Sequence, residues 1–512
     1  MRYLSENKRE DMRMKKRTAS RSMAALMGAA MVLTACGGGN TTAPTTGASS
    51  GGETQTASES AESGKITKTD IVVGQASDIV TLDPAGQQDT TSGVLMKHAY
   101  STLLDVDNEG KVVPDLAESY EMKSDTEYVF KLREDACFWD GTPVTAQDVK
   151  FSLDRAKGMP KTKSNTSKIE EVTVNGDHEV TIKLTEPYAA FKTIVTQHNL
   201  SILSEKAVTE AGDSYGDVDN LLGSGPFKVT EWVPNDHYSL VRNDNYWGEM
   251  PIATSITCRV IPEGSARTIA LEAGEIDVVW SVDPTDCANV ESNPDVKLLS
   301  QPSTGIDYVG MNTQKEKFSD KRVRQAINYA LDKQTFVDTI IEGRGLVANS
   351  YINAAIPGWT DEVEAYPYDP EKAKELLAEA GYPDGFECSI FVNGDLRTRS
   401  AQILQAQLAD VGIKVDISTY EWGALLDTLN AGEHEMFLLG WSNTSFDPDG
   451  STYQLFYSGN HGATGNRAFF SNDKVDELIL SAQRESEESK RMELYKELQF
   501  VLHDESPWCP LY

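Results

Sequence analysis

Residues 387–441 switch between two hydrophobic periods, and that switching leaves few folds open. Residues 387–392, 413–418 and 436–441 are apolar runs of strand length. Between them, residues 398–411 and the stretch holding Leu425, Leu426 and Leu429 space their apolar side chains as a helix does. Strand, helix, strand, helix, strand is the order that lays successive strands side by side in one direction, because each helix carries the chain back along the sheet. A parallel sheet is therefore expected here. The last run ends at Trp441, followed by polar residues to Ser445 and an expected turn at Asp447-Pro448-Asp449-Gly450. Small polar groups beside a tryptophan at a strand end suit the wall of a ligand cleft, although an ordinary core strand with a surface turn would read the same way.

At 512 residues the chain is too long for one core, so two or more lobes are expected. Folded sequence begins near Ile66, with a strand at Ile71-Val72-Val73-Gly74. Residues 127–132 alternate polar and apolar side chains and read as a half-buried strand; Thr145, three residues before Asp148, can open a helix as a capping box. Strands over 172–174 and 179–184 are separated by Asn175-Gly176, read as a hairpin turn. Another strand pair, 227–232 and 238–242, follows Gly223-Ser224-Gly225-Pro226. The first half is thus a mixed α and β lobe. Beyond Gln301 the helices lengthen: Asp320 can cap one through Val323, Ile327, Ala330 and Leu331, Asp369-Pro370 starts a second that Gly381 stops, and residues 473–484 and 487–503 give two more.

The N-terminus indicates an exported chain. Arg13, Lys15, Lys16, Arg17 and Arg21 precede the apolar run 23–33, which leads into Leu33-Thr34-Ala35-Cys36. That run is too short to span a bilayer, and the arrangement resembles a bacterial lipoprotein signal in which Cys36 carries the lipid. Residues 37–65, rich in Gly, Ser, Thr and Glu, cannot bury enough surface to order themselves and read as a tether. The formal net charge is −32, a sign that repels nucleic acid. Five further cysteines, Cys137, Cys258, Cys287, Cys388 and Cys509, lack CxxC or Cys/His spacing and read as small buried hydrophobes.

Two motifs imitate other functions. Gly212-Asp213-Ser214-Tyr215-Gly216 satisfies GxSxG, but a nucleophile elbow needs a strand before it, and a helical pattern precedes this one. Asp105 to Gly110 imitates the front of a calcium loop, yet its twelfth position is Leu116 where a bidentate carboxylate is required, so a hairpin turn is expected instead. The seven histidines show no HExxH and no pair at ligand spacing, and no metal or cofactor is expected.

Several spaced blocks resemble the peptide and nickel class of ABC-transporter substrate-binding proteins, family 5. These are Ala117-Glu118-Ser119-Tyr120; Phe138-Trp139-Asp140-Gly141-Thr142-Pro143 and the residues to Val149; Gly223 to Phe227; Asp320 to Ala330; Leu376 to Gly385; and Glu421 to Gly450. The resemblance runs from about Ile71 to the end. It implies an α/β, two-lobed, periplasmic-binding-protein-like (type II) fold with mixed sheets and a ligand cleft between lobes. Lobe I would span 66–300 with the family's extra subdomain and lobe II 301–505, after a signal over 1–36 and the tether over 37–65. Residues 506–512 would start a crossover back to lobe I that is cut short.

The resemblance also implies a site without covalent chemistry. Gly440, Trp441, Ser442, Asn443 and Thr444 would lie against the ligand backbone, Trp422 would line a side-chain pocket, and Gln88, Asp89 and Thr90 would close from the other lobe. Peptide-binding members commonly carry an aspartate for the ligand's α-ammonium where this chain has Thr444, and the arginine that dipeptide-type members use for the carboxylate has no obvious counterpart before the helix expected at 398. The expected function is a monomeric, lipid-anchored, extracytoplasmic receptor that captures oligopeptides or related solutes for an ABC permease. A nickel chelate or other non-peptide solute on the same fold, and a surface hydrolase using Ser214, are the alternatives.

Overall fold

The structure, a computed structural model, describes residues 68–512. Cys36, the apolar run before it and the tether expected over 37–65 lie outside the described residues. The expected parallel sheet forms: Phe386–Val392 lies between Ile413–Thr419 and Met436–Ser442 and is parallel to both. Gly305–Met311 joins Met436–Ser442 antiparallel, with Asp307 opposite Gly440, and Trp508–Pro510 adds the far edge. Met436, Phe437, Leu438 and Leu439 are all buried because both faces of this sheet are covered. Met436 and Leu438 enter the core beneath helices Lys321–Ala330, Pro370–Glu379 and Gly394–Ala409. Phe437 and Leu439 enter the core beneath Asp473–Arg484 and Glu488–Glu505, where Trp508 stacks on Tyr308 with ring centroids 3.4 Å apart.

A second five-stranded sheet is built from the first half of the chain. Asp70–Gln75 runs parallel to Ser255–Val260 and to Val278–Val279, and His237–Arg242 and Phe227–Val233 continue it antiparallel. A four-stranded antiparallel sheet, Ala117–Ser124, Glu127–Leu132, Glu179–Leu184 and Ile169–Gly176, packs on helix Ala146–Lys157. That helix opens with the expected capping box between Thr145 and Asp148. Leu104–Val106 and Val112–Pro114 form the small hairpin expected around Asp105 to Gly110, its turn held by Asp107, whose carboxylate accepts the N–H groups of Glu109 and Lys111, each at 2.9 Å.

The blocks that carried the resemblance interlock. Trp139 donates its N–H to Gly223 O at 2.9 Å and its Nε1–H to Gly225 O at 3.3 Å. A Cβ at Gly223 would stand 2.0 Å from Ala99 O, and one at Gly225 would stand 2.5 Å from His98 O. Both glycines are therefore required by close backbone approach, which fastens the start of the second sheet to helix Thr90–Ala99. These motifs are scaffold.

Three expectations are corrected. The hairpin after Ile169–Gly176 turns at Asp177-His178, not at Asn175-Gly176, because Gly176 still pairs with Glu179. Asn175 stays within the strand, at an irregularity of the ladder between Val174 and Gly176, where its Nδ2 donates to Thr181 Oγ1 at 2.7 Å. Asp447 to Gly450 is not a free turn: helix Asp449–Phe456 starts there, and Arg491 holds Asp447 with two hydrogen bonds of 2.8 and 2.5 Å. The helix expected at 398 begins four residues earlier, at Gly394. The five cysteines of the described residues are free, four of them buried. Ser214 lies exposed in a 3-10 turn directly after helix Glu205–Ala211, with no strand before it to form a nucleophile elbow. Among the described residues no helix is long and apolar enough to cross a membrane, and no group of three or more His, Cys, Asp or Glu is placed to hold a metal.

Candidate ligand-binding site

Loops leaving the carboxyl ends of parallel strands in the two five-stranded sheets face one another. They enclose a cavity of about 1100 Å³. From one sheet come Ala76 to Val80, Pro262 and Ser281 to Pro284; from the other come Asn393 to Thr398 and Thr419 to Ala424, with Asp307 between. Crevices outside the carboxyl ends of strands are where open α/β sheets bind ligands, since helix N-termini and irregular backbone meet there.

Of the residues expected at a site, Trp422 lines this cavity, at the start of helix Trp422–Asn430. Asp89 reaches towards it from the other side. One Asp89 oxygen accepts the Ser92 N–H at 2.9 Å and caps helix Thr90–Ala99. Asp89 Oδ2 and Trp422 Nε1 are both buried without a well-formed hydrogen bond, although the indole N–H is near enough to help pull the Asp89 carboxyl down. Burial wins, and the carboxyl is raised above its ordinary value. Gln88 donates to Gln454 Oε1 at 3.3 Å, and Thr90 is exposed on the first turn of its helix.

The strand-end loop is arranged differently from expectation. Gly440 borders the cavity only through Asp307 and Arg397: a Cβ on Gly440 would stand 3.1 Å from both Asp307 oxygens and 3.3 Å from Arg397 Nη2. Trp441 is half-buried and donates its Nε1–H to Gly450 O at 3.0 Å. Ser442 is exposed. Asn443 is buried, with Nδ2 donating to Asp447 O and Ser451 Oγ, each at 2.7 Å, and Oδ1 accepting from Ser445, so its polar atoms organise the loop itself. Thr444 Oγ1 donates to Gln197 at 3.3 Å, across to the first half of the chain. Trp441 to Thr444 are not among the cavity-lining residues.

The structure adds Arg397, Asp307 and Lys161, which the sequence reading missed. Arg397 lies in the first turns of helix Gly394–Ala409, its Nε 3.6 Å from Asp307 Oδ1. Burial raises the Asp307 carboxyl, with Arg397 pulling the other way; its side chain still keeps 31% of its surface open, beside the cavity it lines. Lys161 lines the cavity too, its ammonium lowered by burial against the opposing charges of Asp89 and Asp427. Arginine and lysine beside uncommitted carboxylates give a cavity able to hold a ligand carrying both signs of charge. No nucleophile–base pair is needed to describe this arrangement.

Contacts between the first and second halves of the chain surround the cleft. Arg399 donates to Asp283 at 2.6 Å beside the cavity. Burial opposes ionisation of Asp283, but Arg399 and Thr285 outweigh it and hold the carboxyl below its ordinary value. Elsewhere Tyr188 donates to Asp449 at 2.6 Å, Gln454 to Asn165 at 2.5 Å, and the Ala189 N–H to Gln483 O at 2.8 Å.

The chain matches the family model for bacterial extracellular solute-binding proteins, family 5 Middle, over residues 111–463. It is 32% identical over 461 residues to the glutathione-binding protein GsiB of Escherichia coli (strain K12), covering 86% of this chain and 88% of that one. Among solved structures it is similar to the ABC transporter-associated periplasmic binding protein DppA of Helicobacter pylori in complex with the peptide STSA. That match has a TM-score of 0.83 and 30% identity, covering 86% of this chain and 92% of that chain. The oligopeptide-binding protein AppA of Bacillus subtilis, in complex with a nonapeptide, matches with a TM-score of 0.79 and 27% identity over 86% of this chain and 92% of its own. The two-lobed architecture, the cleft at the strand ends and the match over most of the chain lead to one conclusion: the protein belongs to the family 5 bacterial extracellular solute-binding proteins.

Proposed function

We propose that the chain is the lipid-anchored receptor of an ABC importer, which captures a peptide or related small solute in the 1100 Å³ cleft and delivers it to the permease. The observation that carries this reading is the cavity itself, faced by both sheets and lined by Trp422, Arg397, Asp307 and Lys161. Relatives named for glutathione and for peptides of four and nine residues support a peptide-class ligand. The arginine absent from the sequence reading is supplied here by Arg397, which would take a ligand carboxylate. Trp422 would bury an apolar or aromatic part, and Asp89 would act through Trp422 from across the cleft. Residues 66–300 and 301–505 form the two lobes on this reading, Gly440 makes room for the charged pair, and Trp441 to Thr444 support the wall behind it.

The relatives are transport receptors, and we assign the chain no catalytic step: Ser214 lacks an elbow, and binding with release suffices. The protein would work as a monomer outside the cytoplasm, tethered through Cys36, with the lobes closing as the ligand bridges them because the shut form binds it better than the open one. Native mass spectrometry of protein purified without refolding tests the proposal. A bound solute of peptide mass, lost on partial denaturation, is expected; a protein that arrives bare and retains nothing from a mixed peptide library would refute it.

A further inference from the structure

Asp307 and Arg397 are an ion pair that the fold leaves unfinished. Two well-buried pairs of this chain are bidentate: Arg491 to Asp447 at 2.8 and 2.5 Å, Arg155 to Asp83 at 3.0 and 2.6 Å. Arg397 Nε instead stands 3.6 Å from Asp307 Oδ1, outside hydrogen-bond reach, and is buried with no other partner. Among the described residues Arg397, at 3.6 Å, is the donor group that faces the Asp307 carboxylate, and both side chains line the cavity. Two other carboxylates on the same cavity are by contrast committed: Asp78 accepts from Trp232, Asn235 and Ile79, and Asp283 from Arg399 and Thr285. Gly440, directly opposite Asp307 in the sheet, leaves the room that lets the pair stand side by side. A carboxylate open to the cavity with its hydrogen-bonding capacity largely unspent can take a charge-assisted bond from a ligand's ammonium, stronger than one between neutral groups.

The geometry specifies that ligand. One acceptor group and one donor fork, at ion-pair distance from each other and both open to the cavity, are satisfied together by a single carbon bearing both an ammonium and a carboxylate. In an α-linked peptide those charges sit at opposite ends of the chain, so one member of the pair would be left unmatched. We propose that this corner of the cleft reads an intact α-amino-acid head group, its ammonium on Asp307 and its carboxylate on Arg397. The favoured substrate class is then free amino acids and peptides linked through a side-chain carboxyl, γ-glutamyl compounds above all. Thr444 offers only a hydroxyl, already donated to Gln197, so the ammonium is received on the strand and not in the loop. The inference rests on the cleft being the solute site.

Two isomers of one composition and one net charge test it: γ-Glu-Gly, whose head group is intact, and α-Glu-Gly, whose α-carboxyl is consumed in the peptide bond. Calorimetric titration of the parent is expected to show the γ isomer binding about tenfold more tightly or better, the scale of one charged hydrogen bond. Asp307→Asn is expected to weaken both isomers, since each keeps its α-ammonium, and Arg397→Gln, with ligand-free melting monitored as a folding control, is expected to bring them within about threefold of each other, since the free α-carboxylate is what tells them apart. Equal or tighter binding of the α isomer by the parent overturns the inference and leaves the cleft a peptide site. A preference for the γ isomer that survives intact in Arg397→Gln overturns the assignment of the carboxylate, and affinities for both isomers unchanged in Asp307→Asn overturn the assignment of the ammonium. Failure of both isomers and of a mixed peptide library to bind refutes the solute reading itself. The parent comparison alone decides the head-group claim should a variant not fold.

Discussion

Asp449 gives a pH dependence that can be worked from the structure. Its side chain is 1% exposed and accepts hydrogen bonds from Tyr188 at 2.6 Å and Gln483 at 2.9 Å, with the Tyr495 hydroxyl at 3.5 Å and the Asp447–Arg491 pair beside it. Burial first, then the charge of Asp447, pushes its carboxyl up to about 6 against the pull of Tyr188, Arg491 and Gln483. The folded chain thus keeps a proton at this site that an unfolded chain, with an ordinary value of 3.8, has already released. Stability from the group is fully present below the unfolded value and is lost as the pH rises through the folded one. Between pH 5 and pH 7.5 the loss is about 1.4 kcal/mol, roughly 1 to 2 °C of melting temperature for a cooperative unit of this size. Asp449→Asn keeps acceptor and donor atoms but cannot titrate. Scanning calorimetry of both proteins at the two pH values should show the variant gaining on the parent by that amount at pH 7.5. A variant-minus-parent difference that does not change between pH 5 and pH 7.5 would refute the reasoning.

Further outcomes concern the cleft. Trp422→Ala should weaken ligand binding by about 1 to 3 kcal/mol while the ligand-free melting temperature holds; a large fall in melting with affinity retained would make Trp422 a core residue instead. Gly440→Ala places a methyl 3.1 Å from both Asp307 oxygens and should reduce affinity, measured by titration, by about 1 kcal/mol or more through displacement of the pair. Asp283→Asn removes the bridge to Arg399 beside the cavity; because that arginine is 35% exposed the pair contributes no more than about 1 kcal/mol, and small-angle scattering should show a modestly larger radius of gyration only in the ligand-free protein.

Much of the fold was legible because its rules are local. The period change over residues 387–441 foretold the parallel strands, and Thr145 with Asp148 marked a helix start that the structure reproduces. The site was less legible. Arg397 escaped notice because Asn393-Gly394-Asp395 reads as a turn: Gly394 adopts a φ of +74°, Asn393 makes no side-chain cap, and the helix nevertheless begins there. The two arginines before Ser400, spaced so that one faces Asp307 and the other Asp283, were the available signal. Asp307 carried none, since one polar residue in an alternating strand looks like a solvent-facing position until the neighbouring lobe is placed over it. Asn443 was expected at the ligand because short polar residues at a strand end suit that role; in the fold its amide is committed to the backbone of its own loop.

Arg397, beside the cavity, is the residue proposed to face the carboxylate of a bound solute. The most direct test is the dissociation constant of the solute recovered from purified protein, measured by calorimetry for the parent and for Arg397→Ala at matched melting temperature. Loss of a charge-assisted pair, about 1.5 to 3 kcal/mol, should weaken binding by about tenfold or more. An unchanged dissociation constant would contradict the account, because the solute would then be held somewhere other than this cavity.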